Sequence, residues 1–383
     1  MNKELKNKKT QLSIPCHWSK EIIEEILSQK PRLQNIELKE VYGALAHGGP
    51  IGHGRSRTAV GQVSENNAVS FVKFLHSKGL KFTYLLNAPF KFNQDKNLLK
   101  KVNQYLFWIL EELKPDALSI SSHELMRYVR KIDNEIPIYI STIAGVKTVE
   151  DLKRFIDIKP IRVIPHHDVG KEWKNLKKIV EFSQKNGIEV ELMVTESCLY
   201  QCPNREKHYE YLSKENQDAP FHLVCNARKF ILPREFLLAG GIIRPEDLSF
   251  YEEMGIRHFK ITGRSKPANW LPEVVNAYQQ RRYKGNLIRL LGIDPSLKAE
   301  EWFFIDNQAL NGFLKNFPRT NNLDAKIKYC EKWAIKLYLQ KKLYALDGSY
   351  YLVDEKNNSL KLIGQGGKKI SFIIKNELSQ SKF

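Results

Sequence analysis

The sequence predicts an α/β protein: a (β/α)8 TIM-like barrel with a C-terminal helical segment and a small β appendage. Short apolar runs rich in β-branched residues alternate with stretches of helical period, which is typical of a parallel sheet with connecting helices. Eight such units fit within about 250 residues, the usual length of such a barrel. No GxGxxG fingerprint follows a predicted strand, which argues against an open dinucleotide-binding sheet.

The predicted barrel units follow one another along most of the chain. The strands are predicted at Ile36–Leu45, Leu80–Asn87, Asp116–Ile120, Ile136–Ser141, Ile161–Pro165, Ile188–Val194, Phe230–Leu238 and His258–Ile261. The helices between and after them are predicted at Asn66–Lys78, Lys96–Leu113, Glu124–Lys131, Val149–Asp157, Glu172–Lys185, Pro245–Met254 and Trp270–Tyr283. A polar segment with two cysteines, rather than a clear helix, follows the sixth strand.

The two ends of the chain differ from this pattern. Residues 1–33 are predicted to be a basic tail and an amphipathic helix at Ser19–Leu33, so the barrel is assigned to residues 34–291. Residues 292–345 are predicted to be helical, with helices at Lys298–Phe317 and Asp324–Tyr344. Residues 346–383 contain Asp-Gly, Asn-Asn and Gly-Gln-Gly-Gly turns between short apolar runs, which predicts a small β appendage.

Composition favours an ordinary globular protein that binds an anion. Of 383 residues, 42% are hydrophobic and 27% are charged. We expect a cytoplasmic location, because no apolar run approaches the roughly 18 residues of a membrane span and the N-terminus lacks the hydrophobic region of a signal peptide. The formal charge of +18 favours an anionic partner such as RNA, a nucleotide or a metabolite, although a solvated lysine-rich surface is the alternative.

Candidate substrate-binding residues lie where predicted strands end, because TIM-barrel chemistry occurs at the C-terminal ends of the strands. Arg55 belongs to a glycine-rich segment after the first strand, where backbone amides and a guanidinium could hold an anion; a flexible loop is the alternative. Asn87 ends the second strand. Arg264 follows the last strand in a Thr-Gly-Arg sequence suited to a carboxylate or phosphate.

Histidines supply the candidate catalytic groups. His166, His167 and Asp168 follow the fifth predicted strand. These residue types could indicate a metal, but adjacent residues on an extended chain point to opposite faces, which favours a polar loop that faces the substrate. His53, in the glycine-rich segment, joins His166 and His167 as a candidate proton carrier near neutral pH.

The cysteines predict a metal centre. In the cytoplasm, five cysteines favour metal binding or catalysis over disulfides. Cys198 and Cys202 directly follow the sixth strand, Cys225 comes 23 residues later, and Cys330 lies far downstream. Four thiolates can hold zinc or an iron–sulfur cluster, although structural zinc usually uses two close pairs. Packing in the core is the alternative for Cys330, and we expect Cys16 not to be a ligand.

The sequence resembles the peptidase U32 family from about residue 37 to residue 335. The most specific blocks are Glu196–His208, which reads ESCLYQCPNREKH, and Ile243–Tyr251, which reads IRPEDLSFY. Further matching blocks are Gly48–Arg55 (GGPIGHGR) and Phe259–Arg264 (FKITGR). The cysteine block and the Arg-Pro-Glu-Asp block are specific in combination.

The resemblance implies a TIM-like barrel that carries a [4Fe-4S] cluster on four cysteines. In this sequence these would be Cys198, Cys202, Cys225 and Cys330. Members of the family act in oxygen-independent hydroxylation of tRNA or rRNA bases and of a ubiquinone precursor. We therefore expect an iron–sulfur enzyme that modifies an anionic RNA base, cofactor precursor or peptide, with a partner protein or electron donor. Val169–Lys171 departs from the Asn-Arg-Asp of similar sequences, which leaves the substrate open.

Two other functions remain open at this stage. Some family members are described as collagenase-like proteases, but this chain has no G-x-S-x-G or H-E-x-x-H motif of a known peptidase mechanism. A barrel stabilised by zinc or a cluster could also bind RNA or a protein without catalysis.

Overall fold

The centre of the molecule is a closed barrel of eight parallel strands that follow one another in sequence order around it. A computed structural model describes residues 9–30, 35–47, 49–57, 60–92, 95–213, 221–293, 295, 298–346, 348–354 and 359–363. The strands are β1 (Thr10–Pro15), β2 (Ile36–Gly43), β3 (Lys81–Leu86), β4 (Ala117–Ile120), β5 (Ile138–Ile140), β6 (Arg162–Val163), β7 (Glu189–Met193) and β8 (His258–Lys260). The predicted fold class is confirmed.

The first barrel strand was missed in the sequence. β1 pairs in parallel with β2 on one side and with β8 on the other, so it closes the barrel. Its side chains Leu12 and Ile14 are fully buried. The barrel therefore begins at Thr10, inside the segment predicted to be a basic tail and helix, and not at residue 34. The apolar side chains at alternate positions, separated by Gln11 and Ser13, are the period-2 signal of this strand.

The predicted strand at Phe230–Leu238 is wrong. These residues belong to two helices, α8 (Phe221–Ile231) and α9 (Arg234–Leu238). Pro233 is the N-cap residue of α9 and separates the two helices. Because both helices are short and apolar, their sequences run together into one apolar stretch that resembles a strand. The predicted count of eight strands was right only because this false strand replaced the missed β1.

Helices surround the barrel and connect its strands. They are α1 (Lys20–Ser28), α2 (Glu65–Ser77), α3 (Lys96–Phe107), α4 (His123–Ile132), α5 (Val149–Lys153), α6 (Trp173–Lys185), α7 (Arg205–Ser213), α10 (Leu248–Glu252) and α11 (Leu271–Gln279), with α8 and α9 before α10. Side chains that accept hydrogen bonds from the first turn begin five of them: Ser19, Ser64, Asp95, Ser122 and Thr148. No described helix is long and apolar enough to cross a membrane.

The C-terminal segment is less helical than predicted. The predicted helix at Lys298–Phe317 is wrong beyond α12 (Ala299–Trp302), because the aromatic and β-branched run Phe303–Ile305 forms strand β9. The helix predicted at Asp324–Tyr344 is α13 (Leu323–Leu339), and it ends before strand β10 (Leu343–Ala345). β10 pairs with β9 in antiparallel orientation.

The small β appendage is present. β11 (Tyr350–Asp354) and β12 (Ser359–Ile363) form an antiparallel pair. The predicted appendage continues to residue 383, but residues 364–383 lie outside the described part of the chain. The appendage contacts the helices near the barrel mouth, because the Tyr351 hydroxyl donates a hydrogen bond to the Phe230 carbonyl of α8.

Candidate active site

A pocket opens at the C-terminal ends of the barrel strands, where a TIM barrel is expected to bind its substrate. Its free space is about 590 Å³, which includes volume open to solvent. The three residues predicted to bind substrate, Arg55, Asn87 and Arg264, all line this pocket. Further polar residues that line it are Ser119, Ser141, Thr142, Glu196, Tyr209 and Lys260.

Arg55 links the pocket to the cysteine-bearing segment. Its Nη2 lies 3.2 Å from Glu196 Oε2, and Glu196 comes two residues before Cys198. Burial acts against both charges, but each partner stabilises the other, so the pKa of Arg55 is raised and that of Glu196 is lowered. Gly54 precedes the arginine with a φ of +70°, and a Cβ there would lie 2.7 Å from Ile143 Cδ1. A glycine is therefore required to bring this loop over the pocket.

Arg264 lines the pocket from the segment that follows β8, the strand on the other side of β1 from β2. Its side chain is buried, with 9% exposure. Nη1 donates to His53 Nδ1 at 3.1 Å and Nη2 donates to the His53 carbonyl at 2.6 Å. Burial, followed by the charge of Arg55, lowers the pKa of Arg264 to about 9, so the guanidinium remains charged at neutral pH. Among the described residues, no carboxylate forms an ion pair with it.

The three candidate histidines are buried and neutral. Burial, followed by the charges of neighbouring cations, lowers the pKa of His53 to about 3 and that of His166 to about 3. The pKa of His167 is also lowered, again chiefly by burial. These shifts disfavour the prediction that the histidines carry protons near neutral pH. In the folded chain the three imidazoles are therefore neutral near pH 7.

His166, His167 and Asp168 come together, contrary to the argument from an extended chain. A 3-10 turn spans His167–Lys171, so the side chains are not forced to opposite faces. Each residue offers one ligand atom, and these atoms lie within 4.8 Å of one another. The three side chains are buried. They contact the cysteine segment, since the Gln201 N–H donates a hydrogen bond to Asp168 Oδ2 at 3.1 Å.

Cys198, Cys202 and Cys225 share cationic neighbours. Cys198 Sγ lies 2.8 Å from Nη1 of Arg205, the first residue of α7. Burial raises the pKa of the Cys198 thiol to about 12, although Arg205 and Lys229 act in the opposite direction. The pKa of Cys225 is also raised by burial and lowered by Lys229 and Arg205, while the nearby Cys202 thiolate raises it further. Burial outweighs these positive charges, so the pKa of Cys198 and that of Cys225 stay above the ordinary value.

Cys330 has different surroundings. It is fully buried on α13, and burial raises the pKa of its thiol to about 12. The charged groups with the largest influence on its pKa are Lys171, Glu235, Glu331 and Arg234. None of these is among the main influences on Cys198 or Cys225. Its role as the fourth cluster ligand therefore stays a prediction.

Buried charges in the barrel interior were missed in the sequence. Arg162 Nη1 lies 2.9 Å from Glu40 Oε2 and 3.7 Å from Glu191 Oε1. Lys260 Nζ lies 3.8 Å from Glu191 Oε2 and 3.5 Å from the centre of the Tyr42 ring. Because both faces of a parallel barrel strand are covered, a charged residue in the middle of an apolar strand is the signal that could have revealed them. Lys260 forms part of the pocket floor.

The fold and the site define a class of TIM-barrel proteins in which an arginine-containing pocket adjoins a group of thiols. The chain belongs to peptidase family U32, whose family model matches residues 40–286. The resemblance noted in the sequence is thereby confirmed.

Two curated relatives have the same level of identity but different coverage. The chain is 29% identical to the uncharacterized protease MJ1657 of Methanocaldococcus jannaschii over 332 residues, which are 82% of this chain and 94% of that protein. It is 29% identical to tRNA hydroxylation protein P of Helicobacter pylori over 143 residues, which are 37% of this chain and 32% of that protein. Among solved structures, the U32 peptidase Mk0906 matches with a TM-score of 0.47 and 12% identity, over 66% of this chain and 92% of that one.

Proposed function

We propose that this member of family U32 is an iron–sulfur enzyme that modifies an anionic substrate, by oxygen-independent hydroxylation or a related reaction. The observation that carries the proposal is Arg264, a buried cation at the pocket without a carboxylate partner among the described residues. An unpaired buried charge is costly, so the fold retains it where a ligand supplies the opposite charge. An anionic group in the pocket is that ligand.

The arrangement around Arg55 supports chemistry beside the thiols. Arg55 lines the same pocket as Arg264 and contacts Glu196, two residues from Cys198. A substrate whose anionic group binds the two arginines therefore lies next to the cysteine segment. Asn87 Oδ1 is buried without a hydrogen-bond partner among the described residues, so it is available to accept an N–H of the substrate.

Cys198, Cys202 and Cys225 are the proposed ligands of the cluster. Cys198, Cys202 and Cys225 are partly exposed, and Arg205 and Lys229 offset the negative charge of thiolates. A cluster bound there would exchange electrons with a donor, while Arg264 and Arg55 hold the substrate and the neutral His53 orients Arg264. The fully buried Cys330 fits a packing role better, and its part as the fourth ligand is tested separately.

RNA is the proposed substrate class. RNA has a negatively charged phosphate backbone, and a chain with a formal charge of +18 suits such a polyanion. The similarity to tRNA hydroxylation protein P supports a base in tRNA, although that similarity spans about a third of each protein. A cofactor precursor or a peptide carboxylate would use the same arginines.

The first test is the metal content of protein purified without oxygen. We expect about four irons with matching sulfide and a broad visible absorption. The cluster should be lost in Cys198→Ala, Cys202→Ala and Cys225→Ala, and retained in the control Cys16→Ala. The iron content of Cys330→Ala decides whether that thiol is a ligand. One zinc and no iron in the wild-type protein would contradict the hydroxylation proposal.

A hydrolase is the second candidate, because of one contact. Lys229 Nζ donates to Ser197 Oγ at 3.2 Å, and both side chains are buried. Serine and lysine form the nucleophile–base pair of one class of peptidases. If this pair is catalytic, Ser197→Ala abolishes hydrolysis of an unfolded-protein substrate without lowering iron content. Absence of hydrolysis by the wild-type protein would eliminate this candidate.

A further inference from the structure

We propose that His166, His167 and Asp168 form a binding site for a divalent transition-metal ion that is separate from the cysteine ligands. The site goes beyond the proposed function, since none of its ligands is a thiol and its occupancy does not depend on a cluster. It lies in the turn after β6, directly beside the segment that carries Cys198 and Cys202.

The distances within this cluster match the edges of a metal-coordination shell. His166 Nδ1 lies 3.4 Å from Asp168 Oδ2, and His167 Nε2 lies 3.6 Å from Asp168 Oδ1. Donor atoms at about 2.0–2.2 Å from a tetrahedral zinc ion are separated by about 3.3–3.6 Å. These two histidine–aspartate spacings, one to each carboxylate oxygen, fall in that range. One ligand atom from each of the three residues lies within 4.8 Å of the other two, so a small rearrangement brings them around one ion.

The cluster also has unused hydrogen-bonding capacity. His167 and Asp168 are almost completely buried, with 4% and 1% exposure. Both ring nitrogens of His167 and the Oδ1 atom of Asp168 lack a hydrogen-bond partner among the described residues. Buried polar atoms are rarely left unpaired, because each costs about 1–3 kcal/mol. A metal ion would accept a lone pair from one ring nitrogen of His167 and one from Asp168 Oδ1, while the other ring nitrogen keeps its proton.

The surrounding backbone holds the three side chains in place. The Gln201 N–H fixes Asp168 Oδ2, and the Asp168 N–H lies 3.3 Å from His166 Nδ1. Binding of an ion through this nitrogen would replace that second hydrogen bond. Gly240 and Gly241 pack against the turn, since a Cβ on Gly240 would lie 2.4 Å from the His167 carbonyl oxygen. Such outer contacts orient metal ligands in known sites.

The donor set defines the kind of ion. Two imidazoles with one carboxylate are a common ligand set for zinc and for non-haem iron(II), whereas magnesium and calcium prefer oxygen ligands. Lys147 and Arg205 are the nearby cations and oppose a further positive charge, so the ionised Asp168 is essential for binding. The bound ion would fix the turn after β6 against Gln201, and thus stabilise the cysteine segment.

Metal substitution tests the site directly. The anaerobically purified protein, with its cysteines intact, is treated with EDTA and titrated with Co²⁺, and the difference spectrum is recorded. We expect one equivalent of Co²⁺ with visible d–d bands and no thiolate-to-metal charge transfer in the near ultraviolet. The same bands should persist in Cys198→Ala and disappear in His167→Ala and in the nearly isosteric Asp168→Asn.

The controls separate this proposal from the cysteine centre and from unfolding. His123→Ala removes an exposed histidine that pairs with Asp157 and should leave Co²⁺ binding unchanged. Circular dichroism establishes that each variant is folded, and Asp168→Asn replaces His167→Ala if the latter is not. Bands that survive in Asp168→Asn, or bands that show thiolate charge transfer and vanish in Cys198→Ala, would overturn this proposal. The iron content of the wild-type protein tests the cysteine centre independently.

Discussion

One residue at the pocket, Arg264, carries a charge that no carboxylate in the described part of the chain balances. Arg264 is held by the nitrogen and the carbonyl oxygen of His53, two neutral acceptors, instead of a carboxylate. Such an arrangement fixes the direction of the guanidinium but leaves its charge available to a ligand. The energetic cost of burying that charge is then compensated when an anion binds.

Arg264→Met should separate the cost of burying the charge from the contribution of that charge to anion binding. Replacing a buried unpaired charge with an apolar side chain of similar shape is expected to raise the free energy of unfolding by about 1 kcal/mol without added anions. Phosphate should raise the melting temperature of the wild-type protein but not that of the variant, when both are measured against chloride at equal ionic strength. Arg127→Met, which removes an exposed arginine, is the control. An equal phosphate response in all three proteins would refute the role of Arg264.

His53 makes stability depend on pH. Burial holds its folded-state pKa at about 3, below the ordinary value of 6.5, so the unfolded chain binds the proton first as the pH falls. Its contribution is fully present above pH 6.5 and is lost toward pH 3, with a slope of up to about 1.4 kcal/mol per pH unit. We expect the free energy of unfolding in urea to depend less steeply on pH in His53→Asn than in the wild-type protein between pH 4 and 7. The difference in slope is up to about 1.4 kcal/mol per pH unit, which corresponds to one proton. An unchanged slope would contradict the buried neutral state.

At the scale of elements, the sequence predicts the barrel fold more accurately than it predicts the individual strands. Alternating strand and helix patterns identified β2 to β8, each of which lies within one of the predicted strands. β1 was missed because its period-2 pattern is short and directly follows a lysine-rich tail. The apolar stretch around Pro233 was taken for a strand, because its two helices are too short to show a helical period.

Some features of the candidate site could likewise be predicted from the sequence and others could not. Arg55, Asn87 and Arg264 were found because a general rule places polar residues after barrel strands at one opening. The convergence of His166, His167 and Asp168 could not be found in this way, because it depends on a 3-10 turn held by Gln201 and the glycines of a distant segment. Long-range backbone contacts of this kind leave no periodic signal in the sequence.

Leu12→Ala tests whether β1 is an integral strand of the barrel. Leu12 is fully buried, and removing a buried leucine side chain costs about 2–5 kcal/mol of unfolding free energy. Gln11→Ala, at the neighbouring and partly exposed position of the same strand, should change stability by less than about 0.5 kcal/mol. Denaturant unfolding of both variants gives the comparison. Similar small losses would mean that the barrel does not depend on this strand.

For the whole molecule, the C-terminal segment supports the connection that carries the cysteines. Glu331 of α13 accepts hydrogen bonds from Arg234 of α9 at 2.6 Å and from the Leu360 N–H of β12 at 2.8 Å. Together with the contact between Tyr351 and Phe230, these bonds join the appendage to α8 and α9. Cys225 lies on α8, so the appendage helps to hold one of the candidate ligands in position.

The net charge of the molecule predicts how a polyanionic substrate binds. With 61 basic and 43 acidic residues, tRNA binding should release counterions, and its affinity should fall steeply with salt. If six or more phosphates are contacted, the loss between 50 and 200 mM salt is about a thousandfold or more. Fluorescence anisotropy with labelled tRNA measures this slope in the wild-type protein and in Arg264→Met. Because Arg264 lies in the pocket and not on the outer surface, the variant should no longer modify the base. The slope of log affinity against log salt concentration should fall by at most about one. Affinity for tRNA that does not change with salt would contradict an RNA substrate and favour a small anion that only the pocket recognises.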